Sequence, residues 1–397
     1  MTNASGTNNK KKIVVLFGGQ SSEHEISRIS AEFIIENIDK EKYDIVMTGI
    51  TKEGKWLKYD GPVGLISSGE WERLAMSDRA LLPEMFHTRI TCSNNAAASQ
   101  DSLSSGIVSS FTDVPLTFEA SPAFVVSPVD VVFPIIHGTN GEDGTIQGML
   151  ELAGIPYVGA GVLGSAIGMD KAYAKIIFEK AGIPQGKFLQ IFRKNIENEA
   201  LLVKVILDIE STLTYPCFIK PSNSGSSVGV SKAHDQEELV KALRFAARYD
   251  RKVLAEEYID GRELECAVLG NDTPEASIIG EVVPCNEFYD YNAKYIDNGS
   301  LTIIPADVPE AVSTEVGRLA VKAFTALDCA GMARVDFFLQ NSTGKVYINE
   351  INTIPGFTGI SMYPKLWEAS GVSSAQLVDR LISLALERYE DNHRDIE

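Results

Sequence analysis

The sequence predicts an α/β protein with a doubly wound N-terminal domain, and three stretches carry that prediction. An apolar run at residues 13–17 breaks at two glycines, and the residues that follow open a helix. A second apolar run at 129–136 also ends in a glycine-rich loop. Near the C-terminus, side chains alternate along residues 331–339 and again along 346–352, and turn formers lie between the two runs. This pattern is typical of two strands joined by a turn. With 397 residues, the chain has room for two or three domains.

The N-terminal order of strand, glycine turn and helix is typical of a doubly wound domain, in which ligands lie at the carboxyl ends of the strands. Glu23 follows this turn. We expect it either beside a ligand or at a helix end, where its charge complements the helix dipole. His137 follows the later strand in the same way. We expect it either to contact substrate or to fix its own loop by hydrogen bonds.

The composition argues against several classes of protein. A formal net charge of -18 disfavours nucleic acid as a partner. The five cysteines are widely spaced without a C-x-x-C pair, which indicates reduced thiols in a cytoplasmic protein. After a polar tail at residues 1–11, no apolar stretch reaches the length of a membrane span. Residues 91–110 are rich in Ser, Asn and Ala and predict a mobile surface insertion.

A phosphate-binding loop is predicted in the middle of the chain. Residues 215–221 form a strand that carries Lys220 near its end, and small residues at 222–230 follow, among them Ser226 and Ser227. Such a loop can lay backbone N–H groups and hydroxyls over phosphates, and the lysine adds positive charge. It is not a Walker A loop, because the sequence contains no G-x-x-x-x-G-K-[ST] motif. The alternative is a plain hairpin connection.

Two later segments suggest further parts of a nucleotide site. Acidic residues stand beside apolar ones in the predicted strands at 253–259 and 260–269. They either accept hydrogen bonds from an adenine amine and ribose hydroxyls or form the solvated side of an edge strand. Residues 288–299 are dense in tyrosine and turn formers, which predicts a loop that closes over a site.

The C-terminal hairpin predicts a divalent-cation site. A register centred on Thr343 places Asp336 opposite Glu350 and Arg334 opposite Asn352. Two carboxylates and an amide oxygen that converge are hard ligands, which suit Mg²⁺ or Mn²⁺ with substrate phosphates rather than zinc. A hairpin with merely solvated polar groups is disfavoured, because Glu350 and Asn352 interrupt an otherwise apolar strand.

Residues 159–164 match the dinucleotide pattern G-x-G-x-x-G, and Glu179 follows at a suitable distance. The match is weak, since the preceding strand is short, contains Pro156 and lacks a prompt returning strand. It leaves an NAD-dependent oxidoreductase as one alternative function. A nucleotide-binding regulatory protein without turnover is another.

Taken together, these motifs resemble the D-alanine–D-alanine ligases of the ATP-grasp superfamily. The resemblance extends from about residue 12 to about residue 388, and the runs 220–229, 289–295 and 349–356 match the family's motifs almost residue for residue. It implies a homodimer in the cytoplasm and a pre-ATP-grasp α/β domain followed by a two-part ATP-grasp fold. The implied domains are N-terminal at 1–158, central at 159–254, and C-terminal with the metal and substrate site at 255–397.

The resemblance also implies roles for individual residues. Those implied to bind ATP are Lys171, Lys220, Ser226, Ser227, Glu256, Glu257, Ile259, Glu263, Lys294, Phe338, Asn349 and Glu350. Those implied to bind the amino-acid substrates are Glu23, His137, Arg334, Gly356, Ser361 and Met362. The implied metal ligands are Asp336, Glu350 and Asn352, and the implied catalytic groups are Glu23, Ser226, Tyr295, Arg334, Gly356 and Ser361.

The implied reaction joins two D-alanines into a dipeptide for peptidoglycan precursors. ATP phosphorylates the first D-alanine while two Mg²⁺ or Mn²⁺ ions and lysines neutralise charge. The amine of the second D-alanine then attacks, and Arg334 with the Gly356 N–H stabilises the oxyanion. Because Lys294 and Tyr295 keep the family's dipeptide-forming pattern, we expect an amine acceptor. D-Serine and D-lactate are the alternative acceptors.

Overall fold

The computed structural model describes residues 10–77, 129–283 and 301–393, which form three β-sheets with helices packed on them. The predicted insertion at 91–110 and the tyrosine-rich loop at 288–299 lie outside these residues. No helix within the described ranges is both long and apolar enough to cross a membrane.

The N-terminal elements form the first sheet, as predicted. They are β1 (Lys11–Gly18), α1 (His24–Asn37), β2 (Tyr43–Ile50), β3 (Trp56–Tyr59), α2 (Leu65–Ser68), α3 (Glu70–Ser77), β4 (Val131–Pro134) and α4 (Thr145–Leu152). The strand order is β3-β2-β1-β4, and β1 pairs in parallel with both β2 and β4. Parallel pairing brings the turn after β1 and the loop after β4 to the same edge of the sheet.

The central elements form a second, antiparallel sheet. They are α5 (Val162–Met169), α6 (Lys171–Lys180), β5 (Phe188–Phe192), α7 (Arg193–Glu197), α8 (Glu199–Thr212), β6 (Cys217–Pro221), β7 (Ser231–Ala233), α9 (Gln236–Ala246) and β8 (Lys252–Glu257). The strand order is β5-β8-β6-β7. Since β8 pairs on both sides, its acidic residues do not lie on an edge strand.

The C-terminal elements form the third sheet. They are β9 (Gly261–Gly270), β10 (Glu275–Val283), β11 (Leu301–Ile303), α10 (Glu310–Ala326), β12 (Gly331–Gln340), β13 (Val346–Asn352), α11 (Met362–Ala369) and α12 (Ser374–Asn392). The strand order is β11-β10-β9-β12-β13 with antiparallel pairing throughout. The edge-strand alternative is therefore wrong for β9 as well, because β9 lies in the middle of its sheet.

The C-terminal helix joins the first and third sheets. Its apolar face is buried, because Leu377 and Leu381 are fully buried and Leu384 packs partly buried against the same core. That core contains β1 residues such as Phe17 and β9 residues such as Leu269. The two sheets thus hold fixed positions about a shared apolar layer, so that a site between them has firm walls.

Gly164, the last glycine of the pattern at 159–164, has a packing role. A Cβ on Gly164 would lie 2.6 Å from the carbonyl oxygen of Asp328, and one on Gly331 would lie 3.1 Å from the nitrogen of Gly159. The residues before this pattern contribute only an isolated bridge, between Tyr157 and Val132, rather than the full strand of a dinucleotide fold. Close approach of α5 to the turn before β12 thus explains Gly164, whereas Gly159 has a φ of 100°, which favours glycine.

Three of the five cysteines, Cys217, Cys266 and Cys329, are free and buried, as the sequence predicts. Burial raises the pKa of Cys217 to about 11 and that of Cys266 to about 12. These thiols stay protonated and unreactive. Cys92 and Cys285 lie outside the described residues.

Candidate active site

A cavity of about 470 Å³ lies where the three sheets meet. Almost all of the site residues inferred from the sequence line it: Glu23, His137, Lys171, Lys220, Ser226, Ser227, Glu256, Glu257, Ile259, Glu263, Arg334, Phe338, Asn349, Glu350, Asn352, Gly356, Ser361 and Met362. Asp336 does not line the cavity but lies buried beside it. Lys294 and Tyr295 fall outside the described residues.

The hairpin β12-β13 has the predicted register. Asp336 stands opposite Glu350 and Arg334 opposite Asn352, and a register shift follows between Asp336 and Phe337. Arg334 donates from Nε to Oδ1 of Asp336 at 2.7 Å and from Nη2 to Oδ2 at 2.8 Å. Its Nε also lies 3.0 Å from Oε2 of Glu265 on the neighbouring strand. The guanidinium is therefore clamped between two buried carboxylates, which fixes its direction.

The donor set of the hairpin fits a divalent cation. Glu350 and Asn352 line the cavity side by side, and the Asn352 amide is 3.1 Å from Oδ2 of Asp336. All three side chains offer hard oxygen atoms, which are the ligands of Mg²⁺ and Mn²⁺. Within the described part of the chain, no group of three His, Cys, Asp or Glu residues is placed to hold a metal ion.

Glu23 reaches the cavity from the first sheet. It occupies the N-cap position of α1 but makes no capping bond with its side chain. Its Oε1 instead accepts a 2.5 Å hydrogen bond from Ser226, in the predicted phosphate loop. A Cβ on Gly138 or on Gly225 would overlap the Glu23 carboxylate. The helix-dipole interpretation is therefore insufficient, because two glycines leave room for this carboxylate to contact the loop.

His137 links the first and third sheets. Its Nδ1 lies 2.9 Å from the carbonyl oxygen of Ile354, so Nδ1 carries the proton and donates it. The Ser30 hydroxyl then donates to Nε2 at 3.0 Å and accepts from the Phe357 N–H at 3.2 Å. Burial lowers the pKa of His137, so the ring is neutral at neutral pH. With both nitrogens bonded to protein, the ring fits the second sequence interpretation, that of fixing a loop.

Glu142 was missed from the sequence, although it lies in the glycine-rich loop after β4. Its Oε1 accepts from the Gly138 N–H at 2.9 Å and its Oε2 faces the Ile354 N–H at 3.4 Å. Burial, together with the nearby charge of Glu23, raises the pKa of Glu142 to about 8. A carboxylic acid therefore remains protonated in this wall of the cavity at neutral pH.

Two lysines on one face of α6 reach the second and third sheets. Lys171 Nζ lies 3.3 Å from Oε2 of Glu350 and 3.0 Å from the carbonyl oxygen of Ser224. Lys175, four residues on, lies 2.9 Å from Oε1 of Glu256, whose Oε2 contacts Lys220. Residues four apart share a face of a helix, so α6 connects the predicted metal site to the predicted adenine edge. Lys175 was also not predicted from the sequence, although its position four residues after Lys171 indicates that the two lysines share a helix face.

The base of the predicted phosphate loop is anchored by buried polar groups. Ser222 donates to Oδ1 of Asp170 at 2.6 Å, and the Asn223 N–H donates to Oδ2 of Asp250 at 2.8 Å. The buried Lys252 forms an ion pair with Asp170. Further along, Ser226 and Ser227 adopt φ values of 48° and 57°, which turn successive N–H groups of the loop. This geometry suits an anion-binding loop on a rigid base.

The far end of the cavity is closed by the start of α11. Ser361 is the N-cap residue but makes no capping bond to the helix. Its hydroxyl instead accepts from the Thr358 N–H at 3.1 Å, close to Gly356. The first N–H groups of the helix, beginning with Met362, therefore face the cavity without a side-chain cap. Such a helix end favours a carboxylate or another anion.

Comparison with known proteins identifies similar chains. The family model described as D-ala D-ala ligase N-terminus matches residues 12–160, and the one described as D-ala D-ala ligase C-terminus matches residues 177–383. A curated D-alanine--D-alanine ligase of Acetivibrio thermocellus is 58% identical over 98% of this chain and 99% of that protein. One of Ruminiclostridium cellulolyticum is 56% identical over 97% and 98%.

Solved structures agree with the sequence relatives. The VanG D-Ala:D-Ser ligase from Enterococcus faecalis superposes with a TM-score of 0.76 at 37% identity, covering 95% of this chain and 99% of that one. The D-alanine-D-alanine ligase from Coxiella burnetii superposes with a TM-score of 0.76 at 36% identity, covering 96% of both chains. The likeness therefore extends across all three sheets.

Proposed function

The chain belongs to the D-alanine–D-alanine ligase family, and we propose that it joins two D-alanines with ATP through a D-alanyl phosphate, for peptidoglycan precursor synthesis. The observation that carries the proposal is the convergence in one cavity of a carboxylate, a phosphate loop and a clamped guanidinium from three separate sheets. Glu23, Lys220 and Arg334 represent these three groups. Neither the dinucleotide interpretation nor that of a regulatory protein accounts for them together.

The proposed domains are residues 1–158, 159–254 and 255–397. The nucleotide is proposed to lie between the second and third sheets, which belong to the second and third of these domains. Lys171 and Lys220 meet its phosphates under the loop that carries Ser226 and Ser227. The adenine edge is proposed to contact Glu256, Glu257 and Ile259. The ribose then contacts Glu263, and the adenine ring packs on Phe338. Bound through Asp336, Glu350 and Asn352, Mg²⁺ or Mn²⁺ would neutralise the charge that develops on the transferred phosphoryl group.

The first D-alanine is proposed to lie between Glu23 and Arg334. Glu23 holds its ammonium group while the guanidinium orients its carboxylate toward the phosphate donor. Because Arg334 is braced by Asp336 and Glu265, it can later stabilise the oxyanion with little rearrangement. The Gly356 N–H supplies the second donor. Protonated Glu142 adds no charge beside Glu23, which leaves that carboxylate as the anion for the ammonium group.

The second D-alanine is proposed to bind at the start of α11. Its carboxylate meets Ser361 and the Met362 N–H, where the uncapped helix end stabilises negative charge. Its amine then faces the carbonyl carbon of the acyl phosphate, forms the C–N bond, and releases phosphate. Lys294 and Tyr295 are proposed to cover the site and exclude water that would hydrolyse the intermediate.

The test is ADP release from purified protein with Mg-ATP, with products identified by mass. D-Alanine alone should drive ADP release with one dipeptide per ADP. Release only after addition of D-serine or D-lactate would retain the mechanism and replace the acceptor. Absence of release under all three conditions would refute the ligase proposal.

Two further proposals concern the setting of the enzyme. We propose a cytoplasmic location, which the three buried free thiols support because reducing compartments preserve such cysteines. We also propose a homodimer, on the basis of the family. Light scattering across a dilution series checks the second proposal, and a mass of one chain at every concentration would contradict it.

A further inference from the structure

A buried lysine that the proposed reaction does not use lies behind the wall of the cavity at its nucleotide end. Lys175 lies in α6, is only 4% exposed, and is not among the residues that line the cavity. Its Nζ lies 2.9 Å from Oε1 of Glu256, which does line the cavity. Burying an ammonium group is costly, so it persists only where a partner compensates. The contact with Glu256 offsets part of that cost, and burial still lowers the pKa of Lys175 below its ordinary value.

Glu256 is held by its backbone and by two cations. It lies on β8, paired with Phe188 on one side and Phe218 on the other, so its main chain is fixed. Lys175 contacts one carboxylate oxygen from the side away from the cavity, and Lys220, which lines the cavity, contacts the other. Burial alone would raise the pKa of Glu256, but the charges of the two lysines outweigh it and the pKa lies below its ordinary value. The carboxylate is therefore ionised at neutral pH.

An ionised carboxylate accepts hydrogen bonds and cannot donate them. At the edge of a purine, it pairs with an amino group and opposes a keto oxygen. We propose that Lys175 is a positioning residue that keeps Glu256 ionised and aimed into the pocket, and that it thereby sets the preference for a 6-amino purine over a 6-keto purine. This inference rests on the proposed function, since it takes Glu256 to lie at the adenine edge.

Lys175 is distinguished from Lys220 by its place. Lys220 lines the cavity and can meet the nucleotide itself, whereas Lys175 lies behind the carboxylate. The position of Lys175 is further fixed by the Gln185 side chain, which donates to its carbonyl oxygen at 2.7 Å. Removing the Lys175 charge leaves Lys220 in place, so the phosphate contacts should survive. The expected defect is in base recognition alone.

The experiment compares ATP with inosine triphosphate, which carries a keto oxygen at position 6. In Lys175→Met, the KM for ATP should rise and the ratio of kcat/KM for ATP over inosine triphosphate should fall about tenfold, because a charge-assisted hydrogen bond is lost. The KM for D-alanine and kcat at saturating ATP should remain unchanged. Lys180→Met removes an exposed charge from the last turn of the same helix and should behave as the wild type.

A double-variant comparison tests whether Lys175 acts through Glu256. Adding Lys175→Met to Glu256→Gln should not change the nucleotide ratio further, because the carboxylate that it positions is already neutral. If Lys175→Met alone fails to fold, the double variant, in which both side chains are neutral, can still be compared with Glu256→Gln. An unchanged ratio in folded Lys175→Met, an equal loss with both nucleotides, or a further loss in the double variant would overturn the inference. A wild type without ADP release would instead refute the proposed function.

Discussion

The raised pKa of Glu142 makes the stability of this protein depend on pH in a definite direction. The folded state keeps the proton up to about pH 8, whereas an unfolded carboxyl loses it near its ordinary value of 4.5. Between these values the unfolded state binds fewer protons, so the free energy of unfolding falls as pH rises. Each pH unit costs about 1.4 kcal/mol, so the limiting loss over this interval is about 5 kcal/mol. Above pH 8 both states are ionised and the loss stops growing.

Glu142→Gln removes this loss, because an amide does not titrate. The variant should gain stability relative to the wild type between pH 5 and pH 9, by about 2 to 5 kcal/mol. It also loses one acceptor for the Gly138 or Ile354 N–H, at a cost of about 1 kcal/mol that does not vary with pH. Urea unfolding followed by tryptophan fluorescence measures both terms, with exposed Glu179→Gln as the matched control. A stability difference that stays constant within about 0.5 kcal/mol across this range would refute the assignment of a buried, protonated carboxyl.

Three further predictions concern turnover, each checked by ADP release with a melting temperature as the control for folding. Glu350→Gln keeps the side-chain volume and removes a metal-ligand charge, so turnover should be abolished; unaltered activity would remove Glu350 from the metal site. Gly225→Ala would push its Cβ into the Glu23 carboxylate, so the KM for D-alanine should rise at least tenfold, and an unchanged KM would place the first substrate elsewhere. Arg334→Lys replaces a two-pronged contact to Asp336 by a point charge, so kcat should fall about a hundredfold, and a smaller change in kcat than in KM would contradict its role at the oxyanion.

Much of the site was predictable because its residues follow local patterns. The register of the hairpin depends on alternation about a short turn, so Asp336 and Glu350 could be placed opposite each other before the structure was known. The lysine and small residues of the phosphate loop lie within ten positions of one another. Such signals survive in the sequence because neighbouring residues perform one task together.

The glycine pattern at 159–164 shows the opposite case. It satisfies a dinucleotide motif, yet Gly164 allows close packing against Asp328, and Gly159 has a φ of 100°, which favours glycine. A glycine motif indicates positions without a side chain, but it does not show whether a ligand or another part of the chain packs against the backbone there. Only the tertiary structure distinguishes a phosphate from a neighbouring turn.

The sequence by itself predicted the class of fold and several of its strands and turns, because hydrophobic period and turn chemistry are local properties, and the resemblance to the ligase family implied most of the side chains that reach the cavity. The tertiary structure decided the charge states and the partners. Glu23 meets Ser226 across 203 positions of the chain, and His137 meets Ile354 across 217. Burial keeps Glu142 protonated and His137 neutral. Distant contacts let His137 join the first and third sheets and let Lys175 position Glu256. No stretch of sequence contains both partners of such a pair, so their chemistry exists only once the chain has folded.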